Sequence, residues 1–90
     1  MFLYLLVLEF KPQCVLEGGT FIGSTAKFMA DAAQEYGGKV HTCDPQDHFV
    51  PDKKYDGTLT FHNKGFEDLV DQFAQDKQKI DMCFIDADVY

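Results

Sequence analysis

Basic residues are scarce in this sequence. The 90 residues include eight Lys and Arg against fifteen Asp and Glu, which gives a formal net charge of −7. Proteins meet a nucleic-acid backbone with stripes of Lys and Arg, whereas here only Lys53 and Lys54 are adjacent. We therefore expect no direct contact between this chain and nucleic acid.

No apolar run is long enough to span a bilayer, which takes about 20 residues. The most apolar run, residues 1–8, lacks the preceding basic residues and the following small-residue cleavage site of a secretory signal. It favours a packed helix over residues 2–10 that ends before Pro12, because the residue before a proline avoids the α region. The sequence predicts no membrane insertion.

Cysteine is also scarce, and odd in number. Cys14, Cys43 and Cys83 are too widely spaced for a zinc site and suit no disulfide framework. Each lies in a short apolar run, where a free thiol behaves as a small buried side chain. Unpaired cysteines favour a reducing compartment, so we expect a cytoplasmic protein.

The rest of the chain, which has no internal repeat or low-complexity tract, alternates between strand-like and helical patterns. Four short apolar runs predict buried strands: 14–17, 40–43, 58–61 and 80–85. Two stretches with helical spacing predict helices, at 24–36 and 65–78. The polar residues 46–57 have room for a helical turn but no clear period. This order predicts an α/β fold, since right-handed crossovers between such strands give an open parallel sheet.

The predicted sheet has about four strands and looks incomplete. A fourth strand at 80–85 with nothing beside it leaves one edge poorly covered, and parallel sheets are ordinarily buried. An open edge also invites pairing with another chain. We therefore expect a Rossmann-like open parallel sheet with flanking helices, and self-association through its open edge.

A glycine-rich turn, E-G-G-T-F-I-G-S-T, follows the first predicted strand at residues 17–25. Glycines allow a sharp turn and close approach of a ligand, and free N–H groups at the next helix suit an anion. A tight turn without a ligand, capped by Ser24 or Thr25, explains the same residues. The spacing differs from the dinucleotide pattern G-x-G-x-x-G, and Glu17 is better suited to an ammonium or sulfonium group than to a pyrophosphate.

Residues 15–25 resemble the first motif of class I methyltransferases that use S-adenosylmethionine (SAM), especially the O-methyltransferase-like branch with E-x-G-T-x-x-G-x-S. The second predicted strand, which ends at Asp44, and residues 80–90, which end in D-A-D-V-Y, are similar to later parts of the same family. The resemblance implies that residues 1–90 are the N-terminal part of a single SAM-dependent methyltransferase domain. It also implies a small-molecule methyl acceptor that receives the methyl group on oxygen.

The resemblance assigns roles residue by residue. The methionine part of SAM would lie against Gly19, Thr20, Phe21, Gly23 and Ser24. Glu17 would order the loop or bind the SAM amino group, and Asp44 would accept hydrogen bonds from the ribose hydroxyls, unless it is merely a solvated turn acid. Asn63, Lys64 and Gly65 lie where the family passes the adenine.

Asp86 and Asp88 follow the last predicted strand, and two interpretations stay open. Carboxylates there can hold Mg²⁺ if other oxygen ligands join them. Metal-dependent relatives use such an aspartate, so the resemblance implies Asp86 as the ligand and Asp88 as a candidate catalytic residue beside SAM or the acceptor. Asp86 can equally hydrogen-bond to SAM without a metal. The family's D-A-D-K relatives carry lysine where this sequence has Val89, a departure that favours sugar or natural-product relatives over catechol-type chemistry.

Several departures and alternatives remain at this stage. Gly18 replaces the usual Ile or Val, which removes a packing side chain and should loosen the loop. His41, His48 and His62 do not cluster in sequence, so we expect them to be structural or solvated. The alternatives to a methyltransferase are an NAD- or nucleotide-binding module and a non-catalytic truncated remnant, because the chain looks too short to be active alone.

Overall fold

A computed structural model describes residues 2–19, 24–47 and 49–85 of the chain. The elements, in chain order, are α1 (Phe2–Phe10), β1 (Cys14–Gly18), α2 (Ser24–Gln34), β2 (Lys39–Cys43), a 3-10 turn (Lys53–Tyr55), β3 (Leu59–His62), α3 (Phe66–Gln75) and β4 (Met82–Ile85). All the predicted helices and strands are confirmed. The helical turn for which residues 46–57 had room is the short 3-10 turn. None of the helices among these residues has the length and apolar character to cross a membrane.

The strands form one parallel sheet in the order β3-β2-β1-β4. The central strand β1 pairs with β2 on one side and with β4 on the other, so that Val15 lies opposite both Val40 and Met82. Within the described residues β3 and β4 are the two edges, and the sheet is not closed. The predicted Rossmann-like open sheet is therefore confirmed.

Glycine sets the end of α2, as the sequence predicts. Gly37 has a φ of +83°, a left-handed conformation that costs glycine nothing because it has no Cβ. In this geometry the N–H groups of Gly37 and Gly38 donate to the carbonyl of Ala33 at 2.9 and 3.0 Å. Carbonyls at the helix end thus gain partners, and the chain turns directly into β2.

Helices α1 and α2 cover one side of the sheet, here called the α2 face. Eleven buried residues pack together on it: Val7, Val15, Ala26, Met29, Ala30, Ala32, Ala33, Val40, Phe49, Tyr55 and Leu59. The spacing of small and apolar residues in α2 lets it lie close to β2 and β3. Burial of a large apolar side chain contributes about 1.5–3 kcal/mol, so this face is the main core.

Helix α3 covers the other side, the α3 face, less completely. Its buried cluster contains Cys14, Leu16, Cys43, Leu69 and Phe73, with no residue from β4. Because Leu16 pairs with Cys83, Cys83 and Ile85 lie on this face of β4, and both are exposed. The prediction that every cysteine is buried is therefore wrong for Cys83, since the cluster under α3 does not extend to β4. Ala74, which shares the apolar spacing of α3, is exposed as well.

A carboxylate fastens the beginning of β4 to the beginning of β1. Asp81 Oδ2 accepts hydrogen bonds from the backbone N–H groups of Gln13 and Cys14, both at 3.1 Å. The N–H of Asp81 donates to the carbonyl of Cys14 at 3.0 Å, and Lys79 Nζ lies 3.7 Å from Asp81 Oδ1. These contacts set the register between the two strands before the ladder begins.

Candidate active site

Three strands end side by side at one edge of the sheet. Gly18 pairs with Cys43, and Cys43 pairs with His62, so the residues that follow β1, β2 and β3 are neighbours. These residues are Gly19, Asp44 and Asn63. Open parallel sheets bind ligands outside the carboxyl ends of their strands, so this edge is the candidate active site.

Some of the predicted site residues fall outside the part of the chain that the structure describes. These are Thr20, Phe21, Gly23, Asp86 and Asp88, together with His48. Ser24 begins α2. The roles predicted for these residues therefore stay predictions.

Gly19 forms the turn out of β1. Its φ is +91°, a conformation that strains any residue with a Cβ. Its N–H donates to the carbonyl of Cys43 at 3.0 Å, which extends the β1–β2 ladder by one residue. A glycine is required here by the backbone, and the turn brings the start of the loop next to Asp44.

Glu17 lies on the α2 face and is completely buried. Thr42, its partner in the β1–β2 register, donates from Oγ1 to Glu17 Oε1 at 2.6 Å. A buried carboxylate is costly unless hydrogen bonds satisfy it, so this contact with Thr42 is part of what allows Glu17 to be there. Thr42 was not singled out from the sequence, because its relation to Glu17 depends on the strand register.

Asp44 is half-buried at the end of β2. Its Oδ1 accepts from the N–H of Gln46 at 2.9 Å, and its own N–H donates to the carbonyl of His62 at 3.2 Å. An ionised carboxylate has about four acceptor positions. The turn at 44–46 therefore uses one oxygen and leaves Asp44 the capacity to accept from ligand hydroxyls.

Asn63 joins the loops that follow β2 and β3. Its side-chain Nδ2 donates to the carbonyls of Asp44, at 3.3 Å, and Pro45, at 3.0 Å. The next residue, Lys64, directs its Nζ to Gln72 Oε1 of α3. Gly65 precedes α3 with an extended backbone and no side-chain cap.

Gly18 makes room for an aromatic ring. A Cβ built at Gly18 would lie only 2.7 Å from Phe66 Cδ1 and 3.1 Å from Phe66 Cγ. The space of the missing side chain is filled by the ring of Phe66, the first residue of α3. Whether glycine here loosens the loop stays a prediction, because residues 20–23 lie outside the described part of the chain. Close packing between α3 and β1 replaces the usual aliphatic contact.

His41 and His62 form a pair on the α3 face that sequence spacing did not reveal. His41 Nδ1 and His62 Nε2 lie 3.0 Å apart. The ring of Phe73 makes T-shaped contacts with both, at a centroid distance of 4.9 Å from His41 and 6.2 Å from His62. Burial, followed by the charges of His62 and Lys39, lowers the pKa of His41 to about 4. Burial and Lys64 lower the pKa of His62. Both imidazoles are therefore neutral at pH 7.

The described residues offer no metal centre. Among them there is no group of three or more His, Cys, Asp or Glu side chains that could hold a metal ion. The Mg²⁺ ion predicted at Asp86 is thus without support from the part of the chain that the structure covers.

The chemistry at this edge suits the methionine and ribose parts of SAM. The methionine part carries an ammonium and a sulfonium group, and the acids Glu17 and Asp44 lie at or beside the strand ends. The ribose hydroxyls need acceptors, a capacity that Asp44 has, and the methionine part needs backbone in close approach, which the Gly19 turn permits. The residues that are present therefore fit the cofactor.

Comparison with known proteins agrees with this reading of the site. A family model described as a methyltransferase domain matches residues 16–90, a span that includes the last three residues of β1, the glycine turn and the strands β2, β3 and β4. No curated protein and no solved structure matches the chain significantly. The family implies SAM as the methyl donor. The match covers more than half of the chain, and the chain belongs to the methyltransferase-domain family as a class I SAM-dependent methyltransferase.

Proposed function

We propose that this chain is the SAM-binding portion of a methyltransferase that transfers a methyl group to an oxygen of a small molecule. The observation that best supports SAM binding is the junction of two strand ends. Gly19 turns with a φ of +91°, and its N–H bonds to the carbonyl of Cys43 at 3.0 Å, directly before Asp44. A left-handed glycine turn and a carboxylate able to accept from the ribose thus lie side by side.

Each residue has a separate task in this proposal. Gly19 and the loop after it hold the methionine part of the cofactor, while Asp44 accepts hydrogen bonds from the ribose hydroxyls. Glu17 orders the beginning of the loop from the core side of the sheet. Its carboxylate is buried and is held by the hydrogen bond from Thr42. When bound, SAM supplies an electrophilic methyl group on a sulfonium. The chain contributes by fixing the orientation of the cofactor toward the acceptor.

The assignment of oxygen as the accepting atom rests on the resemblance of the chain to class I methyltransferases, since residues 15–25 resemble the O-methyltransferase-like branch in particular. Thr20, Phe21, Gly23, Ser24 and Asp86 as cofactor contacts, and Asp88 as the candidate catalytic residue, rest on the same resemblance. The free state of Cys14, Cys43 and Cys83 supports a reducing, cytoplasmic location.

We also propose that residues 1–90 are the N-terminal part of a single methyltransferase domain. The support comes from β4, which pairs only with β1 among the described strands and leaves Ile85 58% exposed. Parallel sheets are ordinarily covered on both faces. Further chain, or a second copy of this chain, would cover that surface, so the 90 residues alone are expected to self-associate.

Isothermal titration of the chain with SAM tests the function, with NAD as the comparison ligand. Asp44→Ala should weaken SAM binding at least about tenfold, because hydrogen bonds to a charged group contribute about 1.5–3 kcal/mol each. Asp47→Ala is the matched control, since Asp47 is an exposed acid in the same loop, and it should change the affinity less than about twofold. A folded chain that binds no SAM, or that binds NAD equally well, would show that the proposal is wrong.

A further inference from the structure

The side-chain amide of Asn63, an exposed residue, donates to two carbonyl oxygens of the neighbouring loop. Nδ2 lies 3.3 Å from the carbonyl of Asp44 and 3.0 Å from the carbonyl of Pro45. An amide nitrogen carries two N–H donors, so these carbonyls account for both. The Asn63 amide donors are directed at the chain's own backbone rather than outward.

This environment also fixes the orientation of the amide. With the oxygen in place of Nδ2, one acceptor would face two others at hydrogen-bond distance, which is repulsive. Asparagine thereby serves as a donor of two bonds that span from the loop after β3 to the loop after β2. Aspartate, which has nearly the same shape, has no such donors when ionised.

The loop that Asn63 holds is the one that carries Asp44. Beyond β2, the Asp44 N–H bonds to the carbonyl of His62 at 3.2 Å, and Asp44 Oδ1 accepts from Gln46 at 2.9 Å. Asn63, from the loop after β3, adds two hydrogen bonds to the Asp44 and Pro45 carbonyls. Residues 44–46 are mostly at the surface, and surface loops with few contacts open easily, so each of these bonds restricts where the Asp44 carboxylate points.

We propose that Asn63 is a positioning residue for the ribose site, which acts by holding the 44–46 turn so that the Asp44 carboxylate stays beside the Gly19 turn. This inference rests on the proposed function of Asp44 in SAM binding. It assigns Asn63 a role through Asp44, in place of a direct contact between its amide donors and adenine. A bound cofactor then meets a carboxylate that is already oriented, which lowers the entropy cost of binding.

The test is a double-mutant cycle on the full chain, with SAM itself as the titrated ligand. Asn63→Asp should weaken SAM binding about tenfold in the otherwise unchanged chain and less than about twofold in the Asp44→Ala background. Asn63→Ala, which removes the donors without adding charge, should show the same pattern with a smaller effect. Gln75→Glu is the charge control, because it adds the same charge at an exposed position at the far end of α3 and should leave the affinity unchanged.

A measurement without ligand separates this inference from the proposed function. In a ¹⁵N–¹H spectrum, Asn63→Asp should shift the Gln46 amide and lower its protection from hydrogen exchange, while the amides of α2 stay unchanged. An unaltered Gln46 amide would overturn the positioning role whether or not SAM binds.

If the effects of Asn63→Asp and Asp44→Ala on SAM binding simply multiply, Asn63 acts independently of Asp44, and the inference is wrong although the proposed function stands. If the chain binds no SAM, the proposed function fails, and the ribose-positioning role fails with it even where the Gln46 amide responds.

Discussion

The two faces of the sheet differ in how they are held together. The α2 face buries eleven residues under two helices, whereas the α3 face buries five under one helix and carries the His41–His62 pair beside them. On the α2 face even the polar pair Glu17 and Thr42 is fully buried. The difference teaches that one side of the same sheet supplies most of the stability, while the other contains the groups that respond to pH and solvent.

The largest expected effect comes from truncating one buried side chain on each face. Met29 and Leu69 are both 0% exposed, and substitutions of this kind cost about 2–5 kcal/mol, least where the surroundings can collapse. Met29→Ala should lie near the top of that range, at about 4 kcal/mol, and Leu69→Ala near the bottom, at about 2 kcal/mol. Urea denaturation measures both. A Leu69→Ala cost equal to that of Met29→Ala would remove the distinction between the faces.

The contact between Gly18 and Phe66 gives the next effect. Gly18→Ala places a Cβ 2.7 Å from Phe66 Cδ1, and overpacking of this kind costs about 1–3 kcal/mol. In a Phe66→Ala background the added methyl group should be tolerated, so the cost of Gly18→Ala should largely vanish. A double-mutant cycle of unfolding free energies checks this. Equal costs in both backgrounds would mean that the ring is not what excludes a side chain at position 18.

The histidine pair predicts a pH dependence of stability on the α3 face. The pKa of His41 falls from 6.5 to about 4 on folding, so the unfolded chain binds more protons between those values. The stability contributed by neutral His41 is therefore complete above pH 6.5 and is lost as the pH falls toward 4. Because the pair is partly exposed, we expect a loss on the order of 1–2 kcal/mol, less than the full shift implies.

Hydrogen exchange locates that loss. Between pH 7 and pH 5 the protection factors of α3 amides should decrease more than those of α2 amides. In His41→Phe, which cannot take up the proton, the difference between the helices should shrink to what His62 contributes, even though the carboxylates still titrate. Equal losses in both helices of the unsubstituted chain would show that acid weakens the fold as a whole.

The smallest effect on stability concerns the uncovered part of the α3 face. Ile85→Lys replaces a side chain that is 58% exposed at the sheet edge, so unfolding free energy should change by no more than about 0.5 kcal/mol. A charged edge strand resists pairing with another chain, so self-association should decrease. Sedimentation velocity measures the change, with Thr60→Lys on the opposite edge strand β3 as the control. An unchanged association constant would place the contact elsewhere.

Local features of the fold could be predicted from the sequence. Apolar runs gave the positions of the strands, and the spacing of Leu69 and Phe73 gave the inner side of α3. Gly37 ended α2 as expected because a left-handed residue after a helix favours glycine whatever the tertiary structure. The neighbouring positions of the glycine turn and Asp44 could also be predicted, since residues that follow parallel strands lie at the same edge of the sheet.

Features that depend on register and packing could not be predicted. His41 and His62 are 21 residues apart, and only the pairing of β2 with β3 brings them together. Gly18 gave no sign of Phe66, because the ring enters from a helix whose position over the sheet is a tertiary property. The burial of Cys83 was wrongly predicted for the same reason. An apolar strand pattern indicates that a residue suits burial, but it does not indicate which part of the sheet a helix covers.

The position of Asp81 also bears on how the chain folds. One neighbour of β1, the strand β2, follows closely in the sequence. The other neighbour, β4, begins directly after Asp81, which is 67 residues after Cys14. During synthesis the central strand must therefore wait with one edge open until β4 has left the ribosome. Contacts of such long range slow folding, and an open strand edge in an intermediate invites aggregation. The Asp81 carboxylate accepts from two backbone amides at the beginning of β1. It therefore lies where the pairing of β4 with β1 would begin.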